Sequence, residues 1–114
     1  MSKQLDLIYL YSTPHGRISR LQWWIGLGVL FVIFLLSDFL LGKEGLIPVL
    51  MGIAIWFAGI MMHIKRCHDR GKSGWWCLLL FIPIIGFIWA VIDLGILPGT
   101  QGDNEYGPDP LETT

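Results

Sequence analysis

Charge is scarce in this chain: only 15% of its 114 residues are Asp, Glu, Lys or Arg, while 54% are apolar. A soluble core of this size could not hide so much apolar surface. The net charge of -1 gives no overall basic character, so nucleic acid is not an expected partner. Only two cysteines are present, Cys67 and Cys77. Both fall in or beside a basic connector assigned below to the reducing cytosol, so they are read as free thiols rather than a structural disulfide. No cleavable signal peptide is visible: the first long apolar run has no small-residue cleavage pattern after it and is expected to stay in the mature protein.

What is abundant is apolar sequence in long runs. Residues 21–41, 46–64 and 75–97 are each about 20 residues long, which as helices matches a hydrocarbon core of about 30 Å. Inside lipid every backbone N–H and C=O needs an internal partner, and a helix supplies one without neighbours. None of the runs has the polar face that a helix on a soluble bundle keeps. The expectation is therefore one all-α membrane domain over residues 1–114, with an amino-terminal segment 1–20, three transmembrane helices, a basic connector 65–74 and an acidic, turn-rich tail 98–114. Ser19 with Gln22 can form a capping box at the first helix, and Ser73 can cap the third. The four residues 42–45 force a tight antiparallel hairpin, after which Pro48 sits harmlessly in a first turn. Pro83, followed by Gly86, should kink the third helix by freeing the carbonyl of Leu79. A re-entrant hairpin broken at Pro83 is the competing reading of that run.

Orientation follows from the cations. Lys3, Arg17 and Arg20 precede the first run, Lys65, Arg66, Arg70 and Lys72 lie in the connector, and Lys43 stands alone in the first hairpin. The positive-inside rule puts the amino terminus and the connector in the cytoplasm, and three crossings put the tail outside. Trp23, Trp24, Trp75 and Trp76 mark the same membrane surface. Leu5, Ile8 and Tyr9 fall at helical spacing, as in a short segment lying on that surface.

Three blocks carry a family resemblance: GRISRLQWW at 16–24, KRCHDRGKSGWW at 65–76 and PGTQGDNEYGPDP at 98–110. In order and spacing the chain resembles the domain of unknown function 805 family of small bacterial inner-membrane proteins over roughly residues 10–110. The resemblance implies a bacterial cytoplasmic membrane location, multi-pass, and a compact helical fold, and brings no activity with it. Cys67 stands where that family usually has an apolar residue.

Two polar constellations are candidates for function. The first is a cytoplasmic ring of Arg17, Arg20, Arg66, His68, Asp69, Arg70 and Lys72. Its segments enter the membrane from one side, so an arginine of one can fork onto Asp69 of the other as a polar latch, or the cations can gather anionic lipid headgroups. The second is Asp38 with Asp93, expected at similar depth near the outer boundary if the first and third helices run the same way. Such a pair would suit a shared proton or a cation. His63, Cys67, His68 and Cys77 are the residue types of a zinc set, but offsets of four and five give too few fixed ligands, and no metal or cofactor is expected. Ser73, His68 and Asp69 contain the types of a hydrolytic triad, yet adjacent His and Asp side chains diverge and no oxyanion pocket is evident. The tail acids Asp103, Glu105, Asp109 and Glu112 are too few in ladder for a calcium loop. Small residues at Gly26, Gly28, Gly52, Ala54, Ala58 and Gly59 offer close helix contact within the bundle, in a homo-oligomer or with a membrane-protein partner.

Together these features suggest a non-enzymatic membrane protein that engages anionic headgroups or a membrane partner through its basic ring. The alternative is an oligomeric transport or channel component using Asp38 and Asp93.

Overall fold

The computed structural model describes residues 7–111, and among them the chain is all-helical with no strand. Lys3, Leu5 and Glu112 lie outside that range. Helix α1 (Leu7–Ser12) is followed by two long helices, α2 (Arg20–Leu41) and α3 (Leu46–Asp69). The third apolar run then forms a 3-10 helix (Gly74–Phe81), helix α4 (Pro83–Trp89) and a π-helical stretch (Ala90–Ile96), and the tail follows as turns.

Helix α2 starts where the capping box was expected. Ser19 Oγ accepts the Gln22 amide at 3.3 Å and Gln22 Oε1 accepts the Ser19 amide at 2.7 Å, so two otherwise orphaned N–H groups are satisfied reciprocally. Gly42 and Gly45 close the hairpin to α3 at φ of 77° and 97°, a region closed to most side chains. Helices α2 and α3 are long and apolar enough to cross a membrane. Their distal halves bury little against anything: Phe31 is 61% exposed, Phe39 83% and Leu46 70%. In water such a surface would be a severe liability; in lipid it needs no partner.

The core sits at the other end, where Leu10, Ile18, Trp23, Met62, Cys67 and Leu94 are buried together. Gly26 is needed there, because a Cβ would meet Met62 Sδ at 2.2 Å and Leu10 Cδ2 at 3.0 Å. Gly59 is also buried, while Gly28 and Gly52 face open space. Helix α1 packs one side into this core, where Leu10 is 1% exposed and Tyr11 Oη donates to the Gly26 carbonyl at 2.8 Å, while Ile8 on its other side stays 79% exposed. Burial pushes the Tyr11 hydroxyl up to about 12.

The third run differs from the single kinked helix expected of it. Ser73 stands at its N-cap without a side-chain cap bond, and Pro83 does not bend a continuing helix but opens a new one after Ile82, whose backbone is extended. Proline fits the first helical turn, where its absent N–H costs nothing. Seven residues of straight helix would separate Leu79 from Gly86 by about 10 Å. A Cβ on Gly86 would instead lie 2.1 Å from the Leu79 carbonyl oxygen and 2.8 Å from Leu80 Cα, so α4 has folded back onto the 3-10 helix. The segment returns to its starting end. Trp24 Nε1 donates to the Gly95 carbonyl at 2.8 Å, and Arg20 Nη1 to that of Ile96 at 2.7 Å, both beside the start of α2. The expectation that the run carries the tail to the opposite end is corrected: breaking the run at Ile82 turns one long helix into a helical hairpin.

Candidate functional site: an arginine latch at one end of the bundle

Asp69, the last residue of α3, is the hub. Arg17 donates to its Oδ1 from Nε at 3.1 Å and from Nη2 at 2.9 Å, while Arg66 Nη1 takes Oδ2. All three side chains are shut away, the two arginines at 0% exposed and the aspartate at 6%. The remaining donors of Arg17 read the tail: Nη1 bonds the carbonyls of Gly102 (2.7 Å) and Gly107 (3.1 Å), and Nη2 that of Thr100 (2.6 Å). A guanidinium has five N–H groups, and these contacts use all of them. Arg66 reaches the hairpin's returning limb, donating to the carbonyls of Leu94 and Leu97, both at 2.7 Å. One carboxylate thus ties together the amino-terminal segment, α3, the returning hairpin and the tail.

A second node forms around Asp93. Its Oδ1 accepts from Arg70 Nη2 at 3.0 Å and Lys72 Nζ at 2.9 Å, and Arg70 Nη1 also bonds the Pro98 carbonyl at 2.7 Å. Its buried Oδ2 has no partner among the described residues, and neither has Trp89 Nε1 four residues earlier. The supposed pairing of Asp38 with Asp93 is therefore corrected. Asp38 lies at the far end of α2, 3.8 Å from the exposed Lys43 amine, whereas the returning hairpin carries Asp93 back to the connector. The two carboxylates are not neighbours.

The tail seals the latch. Thr100 N donates to the Asp69 carbonyl at 2.6 Å, Asn104 Nδ2 to that of His68 at 2.9 Å, and the Tyr106 ring stacks on His68 with centroids 4.0 Å apart. Gly99 passes so close that a Cβ would lie 1.9 Å from Asp69 Oδ2. Asp109 staples the turns by accepting the amides of Gly102 (2.9 Å) and Leu111 (3.0 Å). Burial raises its carboxyl, but those amides and the Arg17 charge outweigh it and hold it below the usual carboxylate range. Asp103 likewise accepts the Asp109 amide at 3.2 Å.

Of the seven ring residues expected from sequence, Arg17, Arg66 and Asp69 meet directly; Arg70 and Lys72 meet at Asp93; His68 faces the Gly16 carbonyl through Nδ1 at 2.9 Å; and Arg20 lies exposed at the rim. The zinc-type residues go to separate partners. His63 Nδ1 accepts the Trp23 indole N–H at 3.0 Å, and Cys67 and Cys77 contact each other. Among the described residues no group of three His, Cys, Asp or Glu is placed to hold a metal. Lys65, fully buried, donates to the Tyr9 carbonyl and stands 4.4 Å over the Tyr9 ring. Sequence reasoning missed the docked tail and the role of Asp93, since backbone carbonyls of Gly and Thr as arginine acceptors leave no side-chain signature.

No solved structure matches the chain. The inner membrane protein YhaH of Escherichia coli (strain K12) is 33% identical over 118 residues, covering 96% of this chain and 97% of that protein. The inner membrane protein YhaI of the same strain is 30% identical over 114 residues, covering 96% of both chains. The uncharacterized protein YiiR, also of that strain, is 31% identical over 121 residues, covering 82% of this chain and 83% of its own. Residues 11–108, which include every residue of the Arg17–Asp69 latch, match the family described as protein of unknown function (DUF805), and the chain belongs to that family of inner membrane proteins.

Proposed function

We propose that the chain is a non-enzymatic inner-membrane protein with two crossings and a re-entrant helical hairpin, both termini cytoplasmic, which holds anionic lipid headgroups at the rim of its latch. The observation that carries this is the set of donors left over. Arg17 spends all five N–H groups inside and Arg66 is shut away from the surface, but Arg20 is exposed, and Arg70 and Lys72 keep side chains 21% and 28% exposed, with N–H groups unused among the described residues. The exposed indoles of Trp24, Trp75 and Trp76 share that end, as expected of rings at a headgroup level. Orientation is supported by the cations: at the opposite end of the two long helices only Lys43 is found among the described residues. Docking of the tail on Arg17 and Asp69 supports its being on the same side as the connector.

Two measurements test the proposal. Reporter fusions after Lys43 and Thr114 should report outside and inside respectively; an external carboxyl terminus would restore the third crossing. Replacing Arg20 and Lys72 by Gln, while Arg70 stays to neutralise Asp93, should weaken retention of anionic phospholipid by about 30-fold, since each cation contributes on the order of 1 kcal/mol. Native mass spectrometry of the purified protein reads this directly. Equal retention by the variant and the parent would reject the headgroup site.

A further inference from the structure

The two thiols set apart from the latch carry a separate inference. Cys67 lies near the end of α3 and Cys77 in the 3-10 helix, and their Sγ atoms are 3.8 Å apart. Both are buried, Cys67 at 0% and Cys77 at 6% exposed. Their elements are pinned together beside the pair: a Cβ on Gly74 would lie 2.8 Å from Ile64 Cγ2, so the 3-10 helix starts hard against α3. A disulfide needs the sulfurs about 1.8 Å closer than they stand. The two thiols are not equally reachable. Cys77 lines a cavity of about 470 Å³ that also contacts the exposed His15 and Trp75, and Cys67 does not line it.

We propose that Cys67 and Cys77 form a reversible oxidation site for small peroxides, with Cys77 as the attacking thiol and Cys67 as the resolving one. In the first step the Cys77 sulfur, having lost its proton, attacks one oxygen of hydrogen peroxide; the O–O bond breaks, Cys77 becomes a sulfenic acid, and hydroxide leaves to take up the proton as water. In the second, the Cys67 sulfur attacks the Cys77 sulfur; the S–O bond breaks, the S–S bond forms, and the hydroxyl leaves with the Cys67 proton as a second water. Two electrons pass from the thiols to one peroxide, and two thiols and one peroxide become one disulfide and two waters. A soluble dithiol reverses the change by exchange. The product ties the end of α3, two residues before Asp69, to the entering limb of the hairpin. None of this depends on the headgroup reading.

The test uses the full chain in membrane vesicles, treated with hydrogen peroxide, quenched with an alkylating agent and mapped by peptide mass spectrometry. The folded parent should lose both thiols to one Cys67–Cys77 cross-link that dithiothreitol removes. With Cys67→Ser, a sulfenic-acid probe should label Cys77 about tenfold more than in the parent, because the neighbour that resolves it is gone. With Cys77→Ser, Cys67 should stay reduced and unlabelled. The proposal is overturned if the folded parent forms no cross-link at peroxide levels that cross-link the same chain unfolded in dodecyl sulfate. It is equally overturned if Cys67 in the Cys77→Ser variant is labelled as fast as Cys77 in the Cys67→Ser variant.

Discussion

Asp69→Asn should destabilise the protein by roughly 3–5 kcal/mol, the cost of removing one partner from a buried ion pair. The substitution keeps shape and size, so the loss is electrostatic. It leaves the Arg17 and Arg66 guanidiniums, both at 0% exposure, without the only carboxylate they touch among the described residues. An amide also turns an N–H₂ group toward one arginine, placing donor against donor. A protein holding only about 5–15 kcal/mol in total would feel this strongly. Thermal unfolding in detergent should shift well down, and the tail should become open to protease first, because the Arg17 contacts to Thr100, Gly102 and Gly107 lose their anchor. Arg17→Lys should fall between, since lysine keeps the charge but brings three donors where five are used. Unchanged unfolding and a protected tail in the Asp69→Asn variant would show that the latch contributes little.

Gly86→Ala tests the hairpin by the sign of its effect. In a straight spanning helix the change would stabilise by about 1 kcal/mol, because alanine is the better helix former. In the folded-back segment the new Cβ lies 2.1 Å from the Leu79 oxygen and 2.8 Å from Leu80 Cα. Both are backbone atoms that no rotamer change can move. We expect a net loss of about 3 kcal/mol, the upper range for overpacking a close contact, with α4 pried from the 3-10 helix. Unfolding in detergent gives the sign. Stabilisation by Gly86→Ala would mean that the run is one continuous helix.

Much of the architecture was legible because its causes are local. The capping box needs only Ser19 and Gln22, three apart on one chain. The α2–α3 hairpin needs only two glycines in a four-residue link. The polar ring was legible in part, since the positive-inside rule gathers Arg17 and Asp69 on one side without any knowledge of packing. Asp93 was misplaced because its depth was counted along a helix that does not continue. Pro83 and Gly86 both stand in the sequence as helix breakers, but whether proline kinks a helix or starts another depends on what the next turn packs against.

The sequence by itself determined that the chain is a helical membrane protein with a cationic end, because lipid demands long apolar runs and internally satisfied backbone, and both are properties of single segments. Only the tertiary structure decided which cations stay within reach of the surface. Arg17 and Arg66 vanish into carbonyls from the tail and hairpin, whereas Arg20, Arg70 and Lys72 stay at the rim. Those acceptors are backbone atoms, identical in every residue, so only the path of the folded chain distinguishes the ones that an arginine meets.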